Sequence, residues 1–233
     1  MSILTDFETR VEEVKLYFDF ANQLDKVESH KQSKFQLNQD VELTIKRDLQ
    51  KIIRANCFLI LYNLVESTIR SCIWNVYDTI SDNKVKFEEL SENLSNIWLN
   101  QQALDISDIS NINKTKEKLK SLISFDSKPV EFSKTRVSLS GNLDYRSIEK
   151  LIKDYGFHGR ITVSDTRKLG KALLKVKSER NALAHGNKSF RQTAEVVTIQ
   201  ELTEYKELIV TYLRDITKNV ESFTENGKYK KWE

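Results

Sequence analysis

Three residues in the stretch S178-E-R-N-A-L-A-H-G-N-K-S-F190 are of types that handle phosphate and protons: Arg180, Asn181 and His185. Leu169, Leu173, Val176, Arg180 and Leu183 recur at spacings of four, three, four and three, so the arginine stands in an otherwise apolar helical stripe. A guanidinium keeps its proton, and burying one requires an anionic or hydrogen-bonding partner. A glutamate on a neighbouring helix would serve, and so would a phosphate met at an interface. Asn181 and His185 lie four apart and share another side of the helix, where the amide could orient the imidazole. Arg180 and His185 are five apart, roughly 140° on an ideal helix, and do not face each other by periodicity. A loosened last turn or a second copy of the chain would bring them together. A histidine at a helix end also serves as a partner of the helix dipole. The spacing alone leaves both readings open.

The same region concentrates positive charge. From Thr166 to Arg191 there are eight basic residues, among them Lys168, Lys171, Lys175, Lys177 and Lys188, against the single acid Glu179. The window carries +7 in a chain of net charge +3, leaving −4 for the remainder. A basic element on a mildly acidic body suits an anionic partner, nucleic acid first, or it is an ordinary solvated lysine face.

The elements that must position these residues read as helices. Phe7, Val11, Val14, Phe18, Ala21 and Leu24 define an amphipathic helix over residues 4 to about 30. Asp40 is placed to cap a long segment running to about Ile80. Forty helical residues span about 60 Å, so this helix must kink or project. Its middle, C57-F-L-I-L-Y-N-L-V65, is apolar nearly all round, as in a buried central helix. Along it Asn56, Asn63, Ser67 and Arg70 form a polar line with Glu66 beside them. Buried polar groups need partners. Glu66 is therefore a candidate to pair with Arg180 or to act on His185, and an internal hydrogen-bond network is the alternative. Further helices are expected at 86–104, 111–124 and 144–155, with an irregular insertion or small β-hairpin at 125–142. The helix from Thr166 to His185 is expected to stop at Gly186. Thr198-Ile-Gln-Glu201 reads as a capping box opening a last helix to about Phe223. Residues 224–233 read as a flexible tail, whose K228-Y-K-K-W232 could instead offer stacking contacts.

Composition agrees with one all-α domain over residues 1–233. One proline and six glycines among 233 residues argue against a many-turned β-sandwich. Cys57 and Cys72 are expected as buried reduced thiols, with no CxxC or Cys/His cluster for zinc. No run approaches the roughly 18 apolar residues of a membrane span. The N-terminus lacks a secretory pattern, so a cytoplasmic location is expected. A Gly-rich phosphate loop and a His/Asp metal cluster are both missing from the sequence.

R180-N-A-L-A-H185 resembles the Arg-x-x-x-x-His signature of HEPN domains. K177-S-E-R-N-A-L-A-H-G186 with Ser189-Phe190, the upstream S140-G-N-L-D-Y-R-S-I-E-K-L-I-K-D-Y-G156, and I60-L-Y-N-L-V-E-S67 extend the likeness over roughly 45–220 to the MAE-type HEPN nucleases of bacteria. The resemblance implies an all-α, HEPN-like bundle, a homodimer, and a metal-independent endoribonuclease without cofactor, of toxin–antitoxin or defence type. Its substrate would be single-stranded RNA, cut by its own 2′-hydroxyl at a cleft between two copies. In that reading Arg180, Asn181 and His185 are catalytic, Glu66 and Asn63 support them, and the five lysines hold RNA. An antitoxin or defence-system protein is a further expected partner. HEPN toxins silenced by a nucleotidyltransferase often carry tyrosine two residues after the histidine; here it is Asn187, which argues against that form of silencing. A non-catalytic HEPN dimerisation or partner-binding module is the alternative, and a DNA-binding helical protein rests only on the basic window.

Overall fold

The structure, a computed structural model, describes residues 2–26, 33–38, 41–123, 128–137, 139 and 142–231. It is an all-α bundle built around one long helix, with one small hairpin among the described residues. Helix α1 (Ile3–Asp25) buries the six apolar residues that its spacing singled out, and Ser2 caps it by accepting from the Thr5 N–H. The helix ends at Asp25, short of 30. Strands β1 (Ser33–Asn38) and β2 (Val41–Ile45) then pair antiparallel, with Phe35 opposite Leu43 and Ser33 opposite Ile45. The central helix α2 (Arg47–Asp82) starts only after this hairpin, with Lys46 at its N-cap position. Asp40 is outside the described residues, and because strand follows it, it does not open the helix.

Helix α2 carries fourteen buried residues, from Ala55 to Ile80. By length and composition alone α2 is apolar enough to cross a membrane, although polar residues break it before any unbroken run of about 18 apolar residues. Its position accounts for this composition. Helix α1 packs against α2, as do α6 (Thr166–Ala184), α7 (Phe190–Glu195) and α8 (Ile199–Glu225), so apolar side chains are needed on several of its sides. Phe18, Phe58, Tyr62 and Tyr212 are among the largest fully buried side chains. Each contributes on the order of 1.5–3 kcal/mol by leaving water.

Between these layers, α3 (Glu92–Ser107) rests on α5 (Tyr145–Tyr155), which in turn contacts α6. Helix α4 (Ile112–Ile123) buries no residue fully. The stretch expected as an irregular insertion or hairpin at 125–142 is irregular where described: a 3-10 turn at Lys134–Arg136 and an isolated bridge from Pro129 to Lys86. The hairpin is instead at 33–45. The expected flexible tail is corrected as well. Tyr229 is buried, the Ser91 N–H donates to its carbonyl, and the Lys231 N–H donates to Glu89. Trp232 lies outside the described residues.

Cys57 and Cys72 are both free and buried. Burial pushes each thiol up to about 12, so neither forms appreciable thiolate at neutral pH. A thiol reagent at pH 8 is expected to leave both unmodified in the folded protein and to titrate both once guanidinium unfolds it. Fast labelling of either under native conditions would contradict this packing.

Candidate active site

Helix α6 begins at Asp165, whose carboxylate accepts from the Lys168 N–H, and ends with His185 at the C-cap. Gly186 follows at φ +70°, the left-handed conformation that ends a helix and that glycine adopts without strain. His185 is exposed at this turn, and its backbone N–H donates to Asn181 at 3.0 Å. Arg180 is half-buried one turn earlier. Its guanidinium lies 4.5 Å from the ring centroid of Tyr62 on α2, and Nη1 donates to Asn181 Oδ1 at 2.9 Å. The structure therefore directs Asn181 Oδ1 toward the arginine.

Glu66 is shared unequally. Its carboxylate is 2.6 Å from Arg70, one turn along α2, and 3.9 Å from Arg180. The glutamate that the sequence offered to Arg180 thus bonds chiefly to Arg70 and stands between two guanidinium groups. Tyr62, Asn63, Glu66, Ser67, Arg70, Leu59 and Arg180 line an open cleft of about 340 Å³. Asn63 and Ser67 also line a neighbouring hollow of about 290 Å³ between α1 and α2. Of the polar line on the central helix, Asn63, Glu66, Ser67 and Arg70 border these hollows and Asn56 does not.

Tyr62 is held from below. It is 2 % exposed, and its hydroxyl accepts from the Leu143 N–H at 3.2 Å. That bond fixes the ring over which the Arg180 guanidinium lies.

The sequence-singled lysines have individual partners. Lys168 pairs with Glu204 at 2.8 Å and Lys177 with Asp144 at 2.5 Å. Lys175 and Lys188 both reach Glu179 at 2.9 Å, the latter through both carboxylate oxygens. Lys171 is exposed and makes no ion pair among the described residues. Glu179 is the most buried charge of α6, 4 % exposed. Its burial alone would raise the carboxyl, but hydrogen bonds and charge from Lys188 and Lys175 outweigh this and hold it below the usual range. Asp144, N-cap of α5, behaves alike: burial raises it, and Lys177 with the Ser147 N–H brings it down.

The sequence reading missed Glu179 as a structural anchor and Tyr62 as the seat of Arg180. Both left a signal. Glu179 is three residues beyond buried Val176 and four beyond Lys175; Tyr62 is four before Glu66. Among the described residues, no three His, Cys, Asp or Glu side chains come together as a metal-binding set.

A helical bundle with an Arg-x-x-x-x-His element closing one helix over the polar face of a long central one defines a recognisable class. Residues 1–229 match the family model described as MAE_28990-like HEPN. The chain belongs to this HEPN family. Comparison with curated proteins and with solved structures gives no match.

Proposed function

We propose that the protein is a metal-independent endoribonuclease of a bacterial defence or toxin–antitoxin system, acting on single-stranded RNA as a homodimer. The observation that carries this reading is the mounting of Arg180. It is held over the Tyr62 ring and bonded to Asn181 by one edge, at the border of an open cleft and one turn from exposed His185. A purely structural arginine would have its fork taken up by a close carboxylate, whereas Glu66 stands 3.9 Å away.

RNA brings its own nucleophile. The 2′-oxygen attacks the adjacent phosphorus, the O2′–P bond forms and the P–O5′ bond breaks, leaving a 2′,3′-cyclic phosphate and a 5′-hydroxyl. The 2′-hydroxyl proton must leave and the departing 5′-oxygen must gain one. Histidine suits both transfers. The planar guanidinium matches the phosphoryl oxygens, whose charge grows in the transition state. Asn181 holds Arg180 in register, while Glu66 and Asn63 line the floor. Two copies meeting at this cleft would supply an imidazole for each proton. Lys171, with the lysines whose ion pairs are exposed, would hold the backbone outside it.

The test is cleavage of a single-stranded RNA in EDTA by wild type, His185→Ala and Arg180→Ala. Cleavage by wild type alone, with cyclic phosphate ends and DNA left intact, is expected. Equal cleavage by all three would assign the activity elsewhere. A silent wild type, with no toxicity on expression in cells, would favour the non-catalytic HEPN module.

A further inference from the structure

Resting on the ribonuclease reading, we propose that Arg70, Trp74 and Lys134 form a subsite for single-stranded RNA, which takes the nucleotides flanking the scissile phosphate. Tyr62, Glu66, Arg70, Trp74 and Asp78 follow one another at intervals of four on α2, so neighbours touch along a ridge that rises about 6 Å and winds about 40° round the helix per step. Arg180 covers the first ring. The Arg70 guanidinium lies 5.9 Å from the centroid of the Trp74 ring, and Lys134, from the 3-10 turn, lies 5.4 Å from it. Cations and aromatic rings therefore alternate along a track that starts in the active-site cleft and leads away from His185.

This alternation suits a single strand. Phosphates take the cations, and unpaired bases stack on or beside the rings whatever their sequence. Trp74 is half-buried, so it retains surface on which a base can rest. The carboxylates do not close the track. Arg70 is bonded to Glu66 and Lys134 to Asp78, yet the side chains of both cations are about a third or more exposed, at 32 % and 41 %. Such pairs contribute little, and an incoming phosphodiester can replace Glu66 between Arg70 and Arg180. In the free protein Glu66 thus occupies the position of an anion and keeps both guanidinium groups turned toward the cleft.

The experiment measures binding of a fluorescein-labelled 12-nucleotide RNA by anisotropy, in a His185→Ala background that does not consume the probe, over a range of salt. Arg70→Gln and Lys134→Gln are each expected to weaken binding about fivefold. Each should also flatten the plot of log affinity against log salt by about 0.7, the loss of one phosphate contact on a single strand. Trp74→Leu is expected to weaken binding about tenfold with the slope unchanged, as loss of stacking does. Binding by Arg70→Gln and Lys134→Gln within twofold of the parent, at the parent's slope, overturns the subsite even if Trp74→Leu fails to fold. Should wild type cleave RNA while these variants bind normally, the subsite alone falls. Weakened variants beside a wild type that never cleaves would keep the subsite and remove the enzyme. A parent that binds no RNA removes both.

Discussion

Arg180→Lys is expected to lower the rate of RNA cleavage by about 10²–10³-fold, the usual cost of losing one transition-state donor, while the thermal midpoint moves little. Charge is conserved in this change, so a small effect would reduce Arg180 to a point charge. Three features argue for a large one. The guanidinium carbon lies over the Tyr62 ring at 4.5 Å from its centroid, a seat that suits a delocalised guanidinium better than an ammonium. One edge is bonded to Asn181, which leaves the remaining donors in a fixed direction. The fork can address two phosphoryl oxygens together, and lysine offers no such pair of parallel donors. The check is single-turnover cleavage beside a melting curve. Loss of rate with an unchanged midpoint supports the assignment, and a parallel loss of both would make Arg180 a packing residue.

The second large effect concerns stability. Changing Lys175 and Lys188 together to methionine is expected to cost about 3 kcal/mol or more, because Glu179 would be left as a buried, unpaired carboxylate. For a chain of this size that is a drop in Tm of roughly 6–12 °C. Glu179→Gln should cost less. Its lysines have side chains 34 % and 40 % exposed, against 5 % for Glu179, and water solvates them once released. The two substitutions also differ in pH dependence. In wild type the Glu179 carboxyl is held below its unfolded value, so its contribution is present above the unfolded pKa and fades as pH falls through the folded one. Without the lysines, burial dominates and the folded pKa rises above the unfolded value. The stability of the methionine variant should then be lost as pH rises through that raised value. The gap in Tm between wild type and variant is therefore expected to be widest near pH 7 and to narrow toward pH 4. A gap independent of pH would show that lost lysine packing, and not the orphaned carboxylate, sets the cost.

Much of the scaffold was legible because several helices carry both a face and a boundary in their residues. The six buried positions of α1, the left-handed Gly186, and the Thr198–Glu201 capping box are local features, and they survive folding unchanged. The start of α2 lies later than the sequence suggests because V41-E-L-T-I45, where apolar residues alternate with polar ones, pairs as a strand before the apolar segment of 52–80 begins. Helix α7 was overlooked although Ser189 and Gln192 form a capping box, since six residues give too little periodicity to register. At the candidate site, the Arg180–Asn181–His185 grouping was visible as a motif. The division of Glu66 between Arg70 and Arg180 was not, because rotamers one turn apart decide it.

The bond from Lys188 to Glu179 reaches backward across His185, joining a residue before the imidazole to one after it through two contacts of 2.9 Å. The turn is in this way a loop closed between residues nine apart in sequence, and its shape is determined within one chain. Two copies that associate would then each present the histidine already in place. Association would not have to supply the entropy of ordering that turn, and its free energy would go to holding the two clefts opposite each other.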